Sequence, residues 1–201
     1  MADSRFIAHV RWWFFIVPLI AVFVMPAIPD SSLFEIPDAE ARSVERTLGD
    51  VRADAATERT NATFRRFFVE TGLVQTTLAA TRGGDVDDGG VSSFARIWVR
   101  NFWRLVYRAI YRATVMRVWL LGTVVFCAAA FVDGTVRRKI KAAAAGFASP
   151  LSFHLAGHGI LLLAGVAFAV LVAPVAVFAQ YWVVVAACMG ALLWKASSSY
   201  Q

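Results

Sequence analysis

Apolar runs and polar stretches alternate along this chain and divide it into segments of opposite character. The apolar runs lie at residues 12–29, 115–132, 155–172 and 181–194. A helix needs about 17–25 predominantly apolar residues to cross a bilayer, and these runs approach or reach that length. The pattern therefore predicts an all-α integral membrane protein with four transmembrane helices.

The first apolar run follows a short tail that contains Arg5, His9 and Arg11. A cleaved signal peptide is the competing interpretation, but the run ends in VMPAIPD, which has no clear A-x-A cleavage site. An uncleaved signal anchor is therefore favoured. Residues 1–29 are assigned to a cytoplasmic tail and the first transmembrane helix.

The polar stretch at residues 30–114 also has helical periodicity, since Ala41, Val44 and Leu48 recur at steps of three and four. Twelve of the fourteen acidic residues in the chain lie between Asp30 and Asp88. The glycine- and aspartate-rich sequence at 81–90 lacks the spacing of a calcium-binding loop and is interpreted as a linker. We expect a helical region that faces the periplasm.

The end of this stretch, residues 93–114, carries an arginine at every fourth position. These residues are Arg96, Arg100, Arg104, Arg108 and Arg112. The positions between them are mostly aromatic and aliphatic, which predicts a separate helix in the membrane interface, with its arginines toward water or lipid phosphate. The alternative is that the arginines neutralise the acidic residues upstream, because residues 30–112 contain twelve acids and twelve arginines.

A second basic cluster lies in the connection at residues 133–154, after the second transmembrane helix. It consists of Arg137, Arg138, Lys139 and Lys141. Asp133 is predicted to cap a short helix that begins near Gly134, because a carboxylate there can accept hydrogen bonds from free backbone amides. Positive flanks favour the cytoplasmic side, so both termini and this loop are predicted to be cytoplasmic. Residues 155–201 then form a hairpin of two transmembrane helices with a short tail.

Composition supports a membrane protein, since 59% of the residues are apolar and only 17% are charged, against averages of roughly 45–50% and 25% in soluble proteins. Cys127 and Cys188 fall inside apolar runs and are interpreted as small hydrophobic residues. No phosphate-binding glycine loop, nucleophile elbow or pair of intramembrane carboxylates is present in the sequence. We expect no enzymatic activity, no metal and no cofactor.

The sequence around the second basic cluster resembles a family of small inner-membrane proteins of conjugative plasmids and integrating conjugative elements. The residues that carry the resemblance are Val132, Asp133, Gly134, Arg137, Arg138, Ala145, Gly146, Phe147, Ser149, Phe153, His154 and Ala156. This chain departs from the family at Gly157, where a basic residue is usual. The four-helix layout and the long segment after the first helix are also similar.

The resemblance implies a component of the bacterial inner membrane that works beside the coupling ATPase of a type IV secretion system. The contacts expected with that partner or with anionic lipids involve Asp133 and the second basic cluster, together with Arg100, Arg104, Arg108 and Arg112. Self-association is possible, and direct nucleic-acid binding is not expected, because the predicted topology puts the arginine series opposite the cytoplasm. The alternative is a small oligomeric pore or transporter.

Overall fold

The computed structural model describes residues 8, 10–82, 90–144 and 150–200, and every regular element in these ranges is a helix. The helical character predicted from the sequence is thus confirmed for the described part of the chain. Arg5, His9, most of the linker at 81–90 and the resemblance residues between positions 145 and 149 lie outside these ranges.

The first apolar run forms three consecutive helical segments that differ in their hydrogen-bond pattern. A π-helical turn at Trp12–Ile16 leads into α1, Val17–Val24, and a 3₁₀ turn follows at Met25–Ala27. Pro18 lies in the first turn of α1, where its ring nitrogen has no hydrogen to donate to the carbonyls of the preceding π-helical turn. A second 3₁₀ turn, Ser31–Phe34, begins at Asp30, whose carboxylate accepts from the Ser32 amide at 3.0 Å.

Three short helices occupy the acidic stretch. They are α2, Asp38–Leu48, then α3, Asp50–Phe64, which continues into a π-helical turn at Arg65–Val69, and α4, Leu73–Ala80. Gly49 separates α2 from α3 with a φ of 80°, a conformation that side chains rarely adopt. The helical periodicity of this stretch therefore reflects real helices, broken where glycine permits a turn.

Helix α5, Val91–Ala143, is a single helix of 53 residues. It contains the arginine series, the second apolar run and the second basic cluster. The sequence pattern predicts three separate elements for these parts, and the structure joins them in one helix. The prediction that Asp133 caps a new helix is wrong, because Asp133 and Gly134 both lie inside α5. Gly134 continues the helix and marks a close contact, since a Cβ there would overlap Ser197 and the Trp194 carbonyl.

Two apolar helices complete the chain, α6 at Pro150–Ala169 and α7 at Gln180–Ser199. Among the described residues, α5, α6 and α7 are the helices long and apolar enough to cross a membrane, while the apolar stretch Trp12–Ala27 is shorter. Their surfaces expose large apolar side chains such as Leu121 and Leu155. Exposed apolar faces of this size are expected on helices that contact lipid.

The chain divides into two compact units. One comprises Ile16–Val115 and Ala169–Ala179; the other comprises the chain up to Phe15, Met116–Phe168 and the chain from Gln180 onward. In the second unit, glycines admit aromatic side chains at helix contacts: Gly165 lies against Trp13, and Gly190 lies against Phe126. Small residues at such points let helices approach closely.

Candidate functional site on helix α5

One stripe of α5 is buried in the first compact unit. Its members are Asn101, Leu105, Arg108, Arg112 and Val115, which follow one another at steps of four and three and are each no more than 3% exposed. This spacing keeps side chains on one face of a helix. Three of the five carry polar groups, so the face that packs inward requires hydrogen-bond partners.

Arg112 meets Glu40 of α2 in a two-point ion pair. Its Nε donates to Glu40 Oε1 at 2.8 Å, and its Nη2 donates to Glu40 Oε2 at 2.7 Å. Both side chains are at most 2% exposed. Parallel hydrogen bonds of this kind fix the guanidinium in one orientation, so the pair defines the register of α5 against α2.

The remaining hydrogens of Arg112 point to the connection between α6 and α7. Nη1 donates to the carbonyls of Val170 at 2.7 Å and Ala173 at 2.8 Å, and Nη2 donates to that of Val175. Hydrogen bonds from a charged donor are stronger than those between neutral groups. Arg112 therefore holds the backbone of the connection that follows Ala169.

Arg108 adds a second cation to this centre. It donates to the carbonyl of Leu33 at 2.5 Å and to that of Val175 at 2.6 Å. Its Nη2 also lies 4.0 Å from Glu40 Oε2. One carboxylate thus faces two buried guanidinium groups, and backbone carbonyls supply the rest of the negative potential.

The same connection also donates hydrogen bonds to two side chains of α2. The amide of Val177 donates to Glu40 Oε2 at 3.0 Å, and the amide of Ala179 donates to Ser43 Oγ at 3.0 Å. Residues 170–179 have little regular structure, so their backbone groups need partners from elsewhere. Arg108, Arg112, Glu40 and Ser43 provide them, and we call these four residues the buried polar centre.

Asn101 and Arg104 hold the stretch that follows α1. Asn101 Nδ2 donates to the carbonyls of Pro26 at 3.2 Å and Ile28 at 2.9 Å, and its Oδ1 accepts from Ser31 Oγ at 3.0 Å. Arg104 forms an ion pair with Glu35 at 3.0 Å, with both side chains partly exposed. Successive turns of α5 therefore fix two irregular segments through polar side chains.

Beside this stripe lies an aromatic groove of about 410 Å³. Its lining is Phe34, Glu35, Ile36, Phe64, Val74, Leu78, Arg100, Trp103, Arg104 and Tyr107. Trp103 Nε1 donates to Thr77 Oγ1 at 2.9 Å, and the Tyr107 hydroxyl donates to Asn61 Oδ1 at 2.7 Å. Arg100 is exposed at this groove.

The second basic cluster lies at the other end of α5 and has a different environment. The guanidinium of Arg137 lies 5.4 Å from the ring centre of Trp194, and that of Arg138 lies 5.5 Å from the ring centre of Tyr200. Trp194 Nε1 donates to Asp133 at 2.6 Å. Lys139 and Lys141 are exposed. This end therefore offers cations at a surface and is secured by aromatic contacts with α7 and the residue after it.

Residues 29–201 match the model of a family described as IncC plasmid conjugative DNA transfer protein, DtrJ-like. The chain belongs to this DtrJ-like family. The resemblance to proteins of conjugative elements is thereby confirmed, and a role in conjugative DNA transfer follows. No curated protein and no solved structure matches the chain.

Arg108 and Arg112 of this DtrJ-like chain do not face water or lipid, as the interfacial-helix prediction required, because both are buried. The alternative interpretation, in which the arginines neutralise acidic residues upstream, describes Arg104 and Arg112 better. Arg104 pairs with Glu35, and Arg112 pairs with Glu40. Arg96 and Arg100 are exposed, and their contact with lipid phosphate stays a prediction.

The helical geometry of the arginine series explains why some of its members are buried and others are exposed. Each step of four residues advances about 40° around a helix of 3.6 residues per turn. Five arginines at this spacing therefore move gradually from one face to another, and Arg112 arrives next to Leu105 on the buried face. The rotation of successive arginines around the helix axis can be predicted from the sequence. Their partners in the connection between α6 and α7 cannot.

Within the described residues, no group of three or more His, Cys, Asp or Glu side chains is arranged to hold a metal ion. His154 and His158 are both exposed on α6. The surface of the described residues presents cations, aromatic rings and apolar helix faces. These groups suit binding to proteins or lipids.

Proposed function

We propose that this chain is a non-enzymatic inner-membrane component of a conjugative type IV secretion system and acts as an adaptor for the coupling ATPase. Membership of a conjugative DNA transfer family supports the general role. The observation that carries the adaptor role is the exposed basic cluster at the end of α5, where Arg137, Lys139 and Lys141 face outward. A cytoplasmic ATPase with an acidic surface would find complementary charge there.

In this proposal the chain crosses the membrane four times, with the N-terminal apolar stretch Trp12–Ala27 as the first and shortest crossing. Both termini and the basic cluster then lie in the cytoplasm, and helices α2 to α4 lie in the periplasm. The distribution of basic residues supports this orientation. The exposed apolar surfaces of α5 to α7 support membrane insertion.

Cysteine labelling tests the orientation. Cys127 and Cys188 are free thiols and must first be replaced by serine or alanine. Single cysteines at Glu58 and Ala143, both exposed, should then react with an impermeant reagent from the periplasm and the cytoplasm respectively. A tag at the N-terminus should share the side of Ala143. If it lies on the side of Glu58, the chain crosses three times and the four-crossing proposal is wrong.

The adaptor role is tested by replacing the outward cations together, as Arg137→Gln, Lys139→Gln and Lys141→Gln. We expect lower transfer frequency from donor cells and less coupling ATPase recovered by affinity purification, at an unchanged membrane level of the variant. A matched control removes three exposed arginines from α2 and α3, as Arg46→Gln, Arg52→Gln and Arg59→Gln. This control should leave recovery of the ATPase unchanged, and equal loss in both variants would contradict the proposal.

The competing function is a small oligomeric pore or transporter. A pore needs polar or charged groups along its pathway, whereas the apolar run of α5 at residues 115–132 contains a single charged side chain, Arg117, near its start. Reconstitution into liposomes distinguishes the two functions. Ion flux that depends on the protein would favour a pore, and its absence would leave the adaptor as the better account.

A further inference from the structure

The second compact unit contains a cavity of about 370 Å³ beside the basic cluster. It lies among the three helices long enough to cross a membrane, since Phe131, Thr135 and Arg138 belong to α5, Phe153 to α6, and Ala196 and Ser197 to α7. Tyr200 completes the lining. The volume falls in the usual range for small-ligand sites.

The interior of this cavity is mostly apolar, although Thr135, Ser197 and Tyr200 in its lining carry hydroxyl groups. Thr135 Oγ1 donates to the Val132 carbonyl at 2.6 Å, and Ser197 Oγ donates to the Trp194 carbonyl at 3.2 Å. These bonds use the hydroxyl hydrogens within their own helices. What remains for a ligand is a surface of aromatic rings and aliphatic atoms, which suits a hydrocarbon chain.

Arg138 supplies the charge at this cavity. Its guanidinium lies over the Tyr200 ring, an arrangement that leaves the N–H groups free at the edge of the guanidinium plane. Arg138 has no hydrogen-bond or ion-pair partner among the residues that the structure describes. The carboxylate in this neighbourhood, Asp133, accepts from Trp194 instead. The edge of Arg138 is therefore available to an anion.

The position of Arg138 along α5 agrees with the depth of a phosphate group. The apolar run of the helix ends at Phe131 and Val132, and Arg138 follows Phe131 by seven positions. At about 1.5 Å per residue the two lie about 10 Å apart along the helix axis. The interfacial layer on each side of a bilayer is about 5–8 Å thick, since core and headgroups together span about 40–45 Å around a core of about 30 Å. The backbone of Arg138 therefore lies just beyond this layer, and its long side chain can reach back into it.

We propose that this cavity binds an anionic phospholipid, with an acyl chain among Phe131, Phe153 and Ala196 and the phosphate on Arg138. Basic pockets between transmembrane helices on the cytoplasmic side hold such headgroups in general. The proposal rests on the membrane placement given under Proposed function and is independent of the contact with the ATPase. A free phosphate ion would leave the apolar interior unfilled, so the lipid accounts for both parts of the site.

The test uses the full chain in nanodiscs of phosphatidylcholine with a minor fraction of phosphatidylglycerol, and counts the phosphatidylglycerol retained after transfer to detergent by native mass spectrometry. Arg138→Gln removes the cation, and Ala196→Phe fills the cavity while keeping every charge. Lys195→Gln is the control, because Lys195 is an exposed cation outside the lining. A parallel sample receives inorganic phosphate as competitor.

We expect Arg138→Gln to lower retention about fivefold, the size of effect typical for one basic residue at a membrane surface. Ala196→Phe should lower retention comparably, while Lys195→Gln and inorganic phosphate should have little effect. Retention that falls with Arg138→Gln and Lys195→Gln alike but survives Ala196→Phe would show that surface charge alone attracts the lipid and would overturn the proposal. Displacement by inorganic phosphate would overturn it as well. The retention of phosphatidylglycerol does not depend on DNA transfer or on the ATPase. The adaptor role can therefore fail while the lipid site stands, and the lipid site can fail while the adaptor role stands.

Discussion

The two ends of helix α5 carry the same kind of residue in opposite environments. Toward its N-terminus, Arg108 and Arg112 are each 1% exposed and surrounded by a carboxylate and backbone carbonyls. Toward its C-terminus, Arg137, Lys139 and Lys141 are exposed, and Arg137 rests on an aromatic ring. One helix therefore uses cations for internal assembly at one end and presents them at a surface at the other.

This difference shows that a count of positive charges says little about their function. Burial of a cation is expensive unless an opposite charge and hydrogen bonds meet it. The buried polar centre meets most of that requirement through Glu40 and the carbonyls of residues 170–175, while Arg108 Nε has no hydrogen-bond partner in the described part of the chain. The exposed cluster has no such requirement and remains available to a partner. The stability of the protein should therefore depend strongly on the first set and weakly on the second.

The largest effect is expected from Glu40→Gln, which leaves Arg108 and Arg112 buried without a counter-charge. Removing one partner of a buried ion pair typically lowers the free energy of unfolding by about 3–5 kcal/mol. Thermal unfolding in one detergent, followed by circular dichroism, measures the change. Glu45→Gln is the matched control on α2, because Glu45 is exposed, and its effect should stay within about 0.5 kcal/mol. Equal melting temperatures for the two variants would mean that the pair contributes nothing to stability.

Part of the buried polar centre was open to prediction. The sequence predicts α2 from the recurrence of Ala41, Val44 and Leu48, and Glu40 lies one turn before Val44, so the two share a face. A carboxylate on a buried face indicates a cationic partner. The balance of acids and arginines indicated pairing in general. The pairing of Glu40 with Arg112 depends on tertiary packing between segments about 70 residues apart. Local periodicity does not encode such a long-range contact.

The continuity of α5 was harder to predict. Gly134 follows an apolar run and precedes a basic one, which is also the pattern of a helix end. In the structure this glycine instead provides space, because the backbone and Ser197 of α7 lie where a side chain would extend. A glycine that ends a helix and a glycine that admits a neighbouring helix look alike in a single sequence. Only the position of α7 distinguishes them.

An intermediate effect is expected from Gly134→Ala, which tests how the exposed end of α5 is held. The added methyl group would overlap Ser197 and the Trp194 carbonyl, and overpacking of this kind lowers the free energy of unfolding by about 1–3 kcal/mol. Gly122→Ala is the control within the same helix, since nothing lies within 4 Å of a Cβ at that position. It should be neutral or stabilise by up to about 1 kcal/mol. A neutral Gly134→Ala would show that α7 does not pack closely there.

The smallest effect is expected at Arg104, which lies between the two extremes in exposure. Its side chain is 36% exposed and its partner Glu35 is 60% exposed, with 3.0 Å between the charged atoms. Partly exposed pairs contribute about 0.2–1 kcal/mol, because water and salt screen them. Arg104→Gln should therefore destabilise by that amount and lose most of its effect at high salt, while Arg96→Gln, at an exposed position without an ion pair in the described chain, should change nothing measurable. If Arg104→Gln instead matched Glu40→Gln, burial would not be what separates the arginines of α5, and the contrast between its two ends would need another cause.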